Sequence, residues 1–232
     1  MTTETGPGPL GPSTGWGVLH LFCKATPALD AAALRRAEEA ARKQGHQVVP
    51  VALLGHKADV GLVVVGPDLW SLRAFQTAVT RAGLEPVASY VSLTEVSEYA
   101  AGVPEELQRA RLYPELPPEG MPAFCFYPMS KRRGPEANWY TLPFEDRTEL
   151  MRGHGAVGRT FRGRVLQLVT GSAGLDDWEW GVTLFGVHPD DLKECVYEMR
   201  FDEASARYAE FGPFYTGMVA DLDEVLAAAG PA

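Results

Sequence analysis

QVVPVALLGHKADVGLVVVG, residues 47–66, contains two short runs rich in valine and other apolar residues, Gln47–Leu54 and Val60–Gly66, joined by a turn over Gly55–Asp59. Runs of this length, bounded by glycine and polar residues, read as two successive strands. Ahead of them Ala28–Gln44 is a stretch of good helix formers that Gly45 closes as a C-terminal cap. Behind them Asp68–Ala82 spaces Leu69, Leu72, Phe75 and Val79 along one helical face, and Gly83 ends it. Trp16–Cys23 and Glu85–Leu93 supply outer strands, giving the order βαββαβ.

The second half repeats that order. Ala123–Met129 reads as a strand and Pro143–Arg152 as a helix opened by proline and acidic residues. Arg164–Thr170 and Glu179–Phe185 are strands linked by the turn-rich segment GSAGLDD. A helix begins at Pro189 and continues, interrupted near Phe201 and Asp202, to about Glu210, and Phe214–Val219 closes the set. Two such units in succession are the ferredoxin-like pattern in duplicate, an α+β arrangement. The expected organisation is a disordered lead-in over 1–14, a first half over 15–94, a proline-rich connector over 95–122 with a helix around Glu105–Leu112, and a second half over 123–232. The connector carries five of the 18 prolines and cannot be a central strand.

Apolar residues make up 46% of the 232 and charged ones 22%, the balance of an ordinary folded protein rather than a disordered or coiled-coil one. A net charge of −9 argues against wrapping around nucleic acid or an anionic membrane surface. The densest apolar stretch, Val60–Val65, is far short of the roughly 20 residues that a membrane span requires. The N-terminus lacks the cationic start and apolar core of an export signal, so a cytoplasmic location is expected. Cys23, Cys125 and Cys195 are widely spaced in apolar segments and read as buried free thiols.

The charge is uneven. Tyr127–Arg164 holds eight cations against four acids, whereas 165–232 holds three against thirteen. Such a basic run is either a solvated face or a pocket for a small polyanion. Of the five histidines, His20, His46, His56 and His188 have packing, turn or helix-entry explanations. His154 stands between Gly153 and Gly155 at what reads as a helix end, open to a planar ligand. A neutral imidazole there is a candidate axial ligand for haem iron. In FCFYPMSKRR, Tyr127, Met129 and Lys131 alternate and share a face if the strand persists past Pro128. That is an ordinary amphipathic strand end or one wall of an oxidising pocket. No phosphate-binding glycine loop, GxSxG elbow or HExxH helix is present.

FYPMSKRR (126–133), NWYTLPFEDR (138–147), MRGHGAVGR (151–159), RVLQLVTGSAGLDDWEWGVTLF (164–185) and VYEMRFDEASARYAEFGPFYTG (196–217) together resemble the chlorite dismutase superfamily, specifically its coproheme decarboxylase branch. GHKADVGLVVVGPD (55–68) and SYVSLTEVSEY (89–99) match less closely. The resemblance implies a dimeric α+β barrel built from two ferredoxin-like βαββαβ halves, assembled as a homo-oligomer, usually a pentamer. It implies a substrate that is also the redox centre: Fe-coproporphyrin III (coproheme), two of whose four propionates are removed as CO₂ with hydrogen peroxide (H2O2) to give haem b. A coproporphyrin ferrochelatase is the implied transient partner.

Position by position, the resemblance makes His154 the iron ligand, Tyr127 the tyrosine that abstracts hydrogen, and Lys131 the lysine that assists at the second propionate. Met129 and Gln167 become pocket-lining residues, Arg159, Arg200 and Ser205 propionate partners, and Trp139 and Trp180 tryptophans of secondary importance. The chain departs from some relatives in having no histidine between His56 and His154 to take the peroxide proton, which leaves Tyr113 or the substrate's own groups for that step. Chlorite dismutase or haem peroxidase chemistry is the nearest alternative, although Gln167 stands where dismutation wants arginine. A non-catalytic haem-binding carrier or sensor is the alternative of another class.

Overall fold

The computed structural model describes residues 8–100 and 102–230, and its chain divides into two units, Met1–Thr94 with Ala220–Ala232, and Glu95–Val219. In the first unit the elements are β1 (Gly17–Ala25), α1 (Ala31–Lys43), β2 (Gln47–Leu53), β3 (Val60–Gly66), α2 (Leu69–Arg81) and β4 (Leu84–Thr94). This is the expected βαββαβ order. The strands pair antiparallel as β2–β3–β1–β4, with Leu21 opposite Leu62 and Ser89. Both helices start on aspartate caps. Asp30 accepts from the Ala33 amide at 2.9 Å, and Asp68 from the amides of Trp70 and Ser71. Both are followed by a glycine in the left-handed region, Gly45 at φ 83° and Gly83 at φ 86°.

Leu21, Leu34, Leu62, Leu72, Phe75 and Val79 form the core between this sheet and its helices. Each such side chain contributes about 1.5–3 kcal/mol relative to exposure. Leu222, Val225 and Leu226 of a C-terminal helix, Leu222–Ala229, join the same core. Residues 220–229, assigned from the sequence to the second half, therefore belong with the first. In the expected lead-in, residues 1–7 lie outside the described residues. Residues 8–14 form no helix or strand, but Leu10 donates to Asp68 and accepts from the Leu69 amide, at 2.9 and 2.8 Å.

The second unit contains α3 (Glu105–Leu112), β5 (Ala123–Lys131), a small hairpin of β6 (Arg133–Gly134) and β7 (Ala137–Asn138), and a 3-10 turn at Trp139–Thr141. Then come α4 (Phe144–Arg159), β8 (Val165–Gly171), β9 (Trp180–Gly186), α5 (Pro189–Met199), α6 (Glu203–Ala206), β10 (Ala209–Phe211) and β11 (Tyr215–Val219). The strands pair antiparallel as β8–β9–β5, and the far edge of β5 is shared by β10 and β11. Phe161, Val182, Leu184, Leu192 and Cys195 fill the core under this sheet.

Two expectations are corrected here. The helix expected to end at Arg152 runs on to Arg159, because neither Gly153 nor Gly155 takes a positive φ and the helical hydrogen bonds continue through them. His154 consequently sits within a helix, not at its end. The helix from Pro189 stops at Met199. Asp202 caps the short α6, and Glu210 is in a strand opposite Ser130. All three cysteines are free and buried. Among the described residues no helix is long and apolar enough to cross a membrane.

Candidate functional site

The register of the second sheet gathers the candidate residues. Tyr127 lies opposite Val182 and Val182 opposite Val169; Met129 lies opposite Trp180, and Gln167 opposite Leu184. Facing residues share a side, so Tyr127, Met129, Gln167 and Trp180 lie on one face, with Lys131 two positions on. The strand persists past Pro128, whose carbonyl accepts from the Gly212 amide at 2.8 Å. Val169, in the Tyr127–Val182 row, is 44% exposed, so this apolar face is not fully covered.

His154 projects from α4. Its Nδ1 lies 2.9 Å from Asp202 Oδ2 and 3.4 Å from Ser205 Oγ. A carboxylate at Nδ1 fixes that nitrogen as the donor and leaves the Nε2 lone pair for a ligand. The imidazole is about a quarter exposed while Asp202 is almost covered, at 27% and 6% of their side chains. Burial opposes charge on Asp202. The hydrogen bond from His154, with those from the hydroxyl and amide of Ser205, outweighs it and holds the carboxyl below its usual range. Gly153 beside the histidine has nothing near the place of a Cβ. Among the described residues no group of three His, Cys, Asp or Glu can hold a metal ion. A single imidazole with Nδ1 committed to Asp202 and Nε2 open can give one nitrogen, which fits an iron that takes its other ligands from a bound macrocycle.

Tyr127 is 8% exposed, stacked on Phe214 at 4.5 Å between centroids and edge-on to Phe211 at 5.5 Å. Burial pushes its phenol far above the usual range, with Cys125 and Cys195 adding to the rise and Arg200 opposing it. The phenol is thus protonated at any working pH. Arg200 sits over the Phe211 ring at 5.9 Å, which places it on the Tyr127 side.

Lys131 Nζ donates to the Ala204 carbonyl at 2.9 Å and lies 4.3 Å from the centre of the Trp139 ring. Burial lowers its pKa to about 8, against the charges of Asp202 and Glu179, which pull it up. The ammonium is therefore brought to α6, beside the segment that anchors His154. Among the remaining candidates, Gln167 reaches toward α4, its Nε2 3.3 Å from where a Cβ on Gly158 would stand. Arg159 lies one helical turn beyond Gly155, against that glycine, and is exposed. Trp180 Nε1 donates to Glu95 Oε1 at 3.1 Å. Neither Asp202 nor Glu179 stands out as a site residue in the sequence. Asp202 does carry a local signal, since DEAS (202–205) is a helix cap motif.

A family model described as chlorite dismutase matches residues 29–220. The chain belongs to the chlorite dismutase family. Within and around that family, a coproheme decarboxylase of Staphylococcus carnosus (strain TM300) is 46% identical over 177 residues, 72% of this chain and 70% of the relative. A Natronomonas pharaonis protein named for haem binding is 45% identical over 193 residues; these are 75% of this chain but 31% of that protein, so the chain spans about a third of that relative's length. A solved structure of a haem-binding protein from Thermus thermophilus superposes with a TM-score of 0.82 at 35% identity, covering 96% of this chain and 100% of that one. The α+β fold of two βαββαβ halves is thus that of the chlorite dismutase family.

Proposed function

We propose that this chlorite dismutase-family chain is a coproheme decarboxylase that converts Fe-coproporphyrin III to haem b with hydrogen peroxide. Each step turns R–CH₂CH₂COOH and H₂O₂ into R–CH=CH₂, CO₂ and two H₂O, so each propionate gives up two electrons and each peroxide takes up two. The observation that carries the reading is a buried, protonated phenol, Tyr127, on the same sheet face as Met129, Gln167 and Trp180. Its unit also carries an imidazole whose Nδ1 is committed to Asp202. The 46% identity to a coproheme decarboxylase supports it.

Bound coproheme supplies the oxidising iron and is itself the molecule oxidised. His154 would hold the iron of bound coproheme through Nε2, and Asp202 holds the ring in the tautomer that frees that nitrogen. Tyr127 would pass its phenolic hydrogen, as a proton and an electron, to the peroxide-derived oxidant that bound coproheme supplies and regain one from a propionate side chain, so that the hydrogens end in water. Because its ring is packed between Phe211 and Phe214, the phenol stays in place through that exchange. Lys131 serves the second propionate, and its pKa near 8 lets it give and regain a proton near neutrality. Arg159, Arg200 and Ser205 pair with carboxylates that cannot leave water alone. Met129, Gln167 and Trp180 form the wall.

The test is anaerobic loading with coproheme followed by stepwise peroxide and mass spectrometry of the porphyrin. Two successive losses, each of one CO₂ and two hydrogens, are expected. Bound coproheme that survives excess peroxide with its four carboxylates intact overturns the reading in favour of a haem carrier. The same kinship is the basis for proposing a homopentamer, a cytoplasmic location and hand-over to or from a coproporphyrin ferrochelatase. Sedimentation reads the first of these.

A further inference from the structure

Glu179 precedes β9 and is 6% exposed, a buried acid that the proposed chemistry does not use. Its Oε2 accepts from the Lys131 amide at 2.8 Å, and its Oε1 from Arg133 Nη2. Its own amide donates to the Met129 carbonyl at 3.1 Å and lies 3.2 Å from Ser130 Oγ. Arg133 lies over the Tyr140 ring at 4.9 Å. Burial raises the Tyr140 phenol, as do the hydrogen bond and charge of Glu179. One carboxylate thus ties the end of β5 to both sides of the β6–β7 hairpin.

That hairpin ends on Trp139, whose amide donates to the Arg132 carbonyl at 3.0 Å and whose ring carries the Lys131 ammonium. Lys131 is therefore fixed at its backbone by Glu179 directly, and at its head by the Ala204 carbonyl and by the Trp139 ring at the end of the hairpin that Glu179 ties through Arg133. We propose that Glu179 is a positioning residue for Lys131, holding the ammonium where it serves the second propionate. This rests on the decarboxylase reading. The charged groups facing Lys131 are Asp202 ahead of α6 and Glu179 ahead of β9, with Arg133 committed to Glu179. Loss of the Glu179 charge consequently lowers the lysine's pKa as well as loosening its seat.

Glu179→Gln keeps the size and one acceptor but removes the charge. In peroxide titrations resolved by mass, the first CO₂ loss stays within about twofold, while the second slows about ten- to a hundredfold in kcat with little change in KM. The pH midpoint of the second step moves down by about one unit. Glu179→Asp, which restores the charge, returns the midpoint toward the wild-type value. A purely structural role slows both steps together, or leaves the midpoint where it was, and either result overturns the proposal. Arg133→Ala gives a second test should Glu179→Gln not fold: it loosens the hairpin but keeps the carboxylate, so the second step slows without a shift in midpoint. Equal slowing of both steps there counts against the proposal.

A substrate-free measurement separates this idea from the decarboxylase reading. In protein labelled at lysine Cε, the Lys131 resonance, assigned with Lys131→Arg, titrates near 8 in the wild type and lower in Glu179→Gln. An unchanged midpoint sinks the role of Glu179 whatever the porphyrin does. Absence of CO₂ loss from the wild type sinks the decarboxylase reading and with it the service to the second propionate, while a lowered Lys131 midpoint in Glu179→Gln still shows that Glu179 holds the lysine.

Discussion

His154 shares its Nδ1 proton with a carboxylate that also caps a helix: Asp202 Oδ2 lies 2.9 Å from the imidazole, while Oδ1 accepts the amides of Ala204 and Ser205 at 3.0 and 3.3 Å. The cap fixes the carboxylate and the carboxylate fixes the ring. The direction of Nε2 is thus set by the backbone of α6 and not by the rotamer preference of a histidine alone.

Asp202→Asn preserves a good capping side chain, so the melting free energy falls by no more than about 1 kcal/mol. The amide is a weaker partner for Nδ1, and haem affinity drops roughly tenfold or more. Titration with haem, read by the absorption of the ligated iron, checks this. An unaltered spectrum and affinity would remove His154–Asp202 from the site.

Tyr127→Phe removes one hydroxyl from a ring that keeps its contacts with Phe211 and Phe214. Stability changes by about 1 kcal/mol or less. Coproheme binding persists, and peroxide no longer releases CO₂. Equilibrium denaturation together with porphyrin mass spectrometry measures both. Continued decarboxylation in this variant assigns the hydrogen transfer elsewhere.

Much of the frame is legible because its signals are local. Asp68, the one-sided apolar spacing from Leu69 to Val79, and Gly83 announce a helix whatever surrounds it. Glu105–Leu112 can be read to the residue between prolines. Gly153 and Gly155 mislead because glycine ends a helix only when its backbone turns left-handed, and the packing of the residues after it decides that. Phe161 packs into the core two residues past the helix and draws α4 onward. The pairing of His154 with Asp202 spans 48 positions, and that of Lys131 with Glu179 also spans 48. No periodicity encodes such a contact. The family resemblance supplies His154, Tyr127 and Lys131, but the acids that hold two of them, Asp202 for His154 and Glu179 for Lys131, emerge as their partners only from the fold.

Phe161 tests that account of α4. It is 2% exposed in the core with Val165, Val182 and Leu184. Phe161→Ala costs about 3–5 kcal/mol in chemical denaturation. Because the same residue ends the turn after α4, the variant also lowers haem affinity, while Phe75→Ala, in the other unit's core, lowers stability and leaves affinity alone. Equal effects of the two on affinity would deny Phe161 its part in seating the helix.

His20 sets the acid limit of the first unit. It is wholly buried in β1, between Val63 and Tyr90 in the ladder, and burial lowers its pKa from 6.5 to about 3. The folded chain keeps this imidazole neutral where the unfolded chain protonates it. Between these two values the unfolded state binds more protons, so stability rises with pH there and is lost as the solution is acidified from 6.5 toward 3. The slope approaches about 1.4 kcal/mol per pH unit for one group. His20→Phe, which retains a ring in the space, removes that slope. Urea midpoints measured between about pH 6.5 and 4 in both proteins decide the matter: parallel curves mean that other groups govern acid unfolding, and convergence at neutral pH with divergence in acid assigns it to His20.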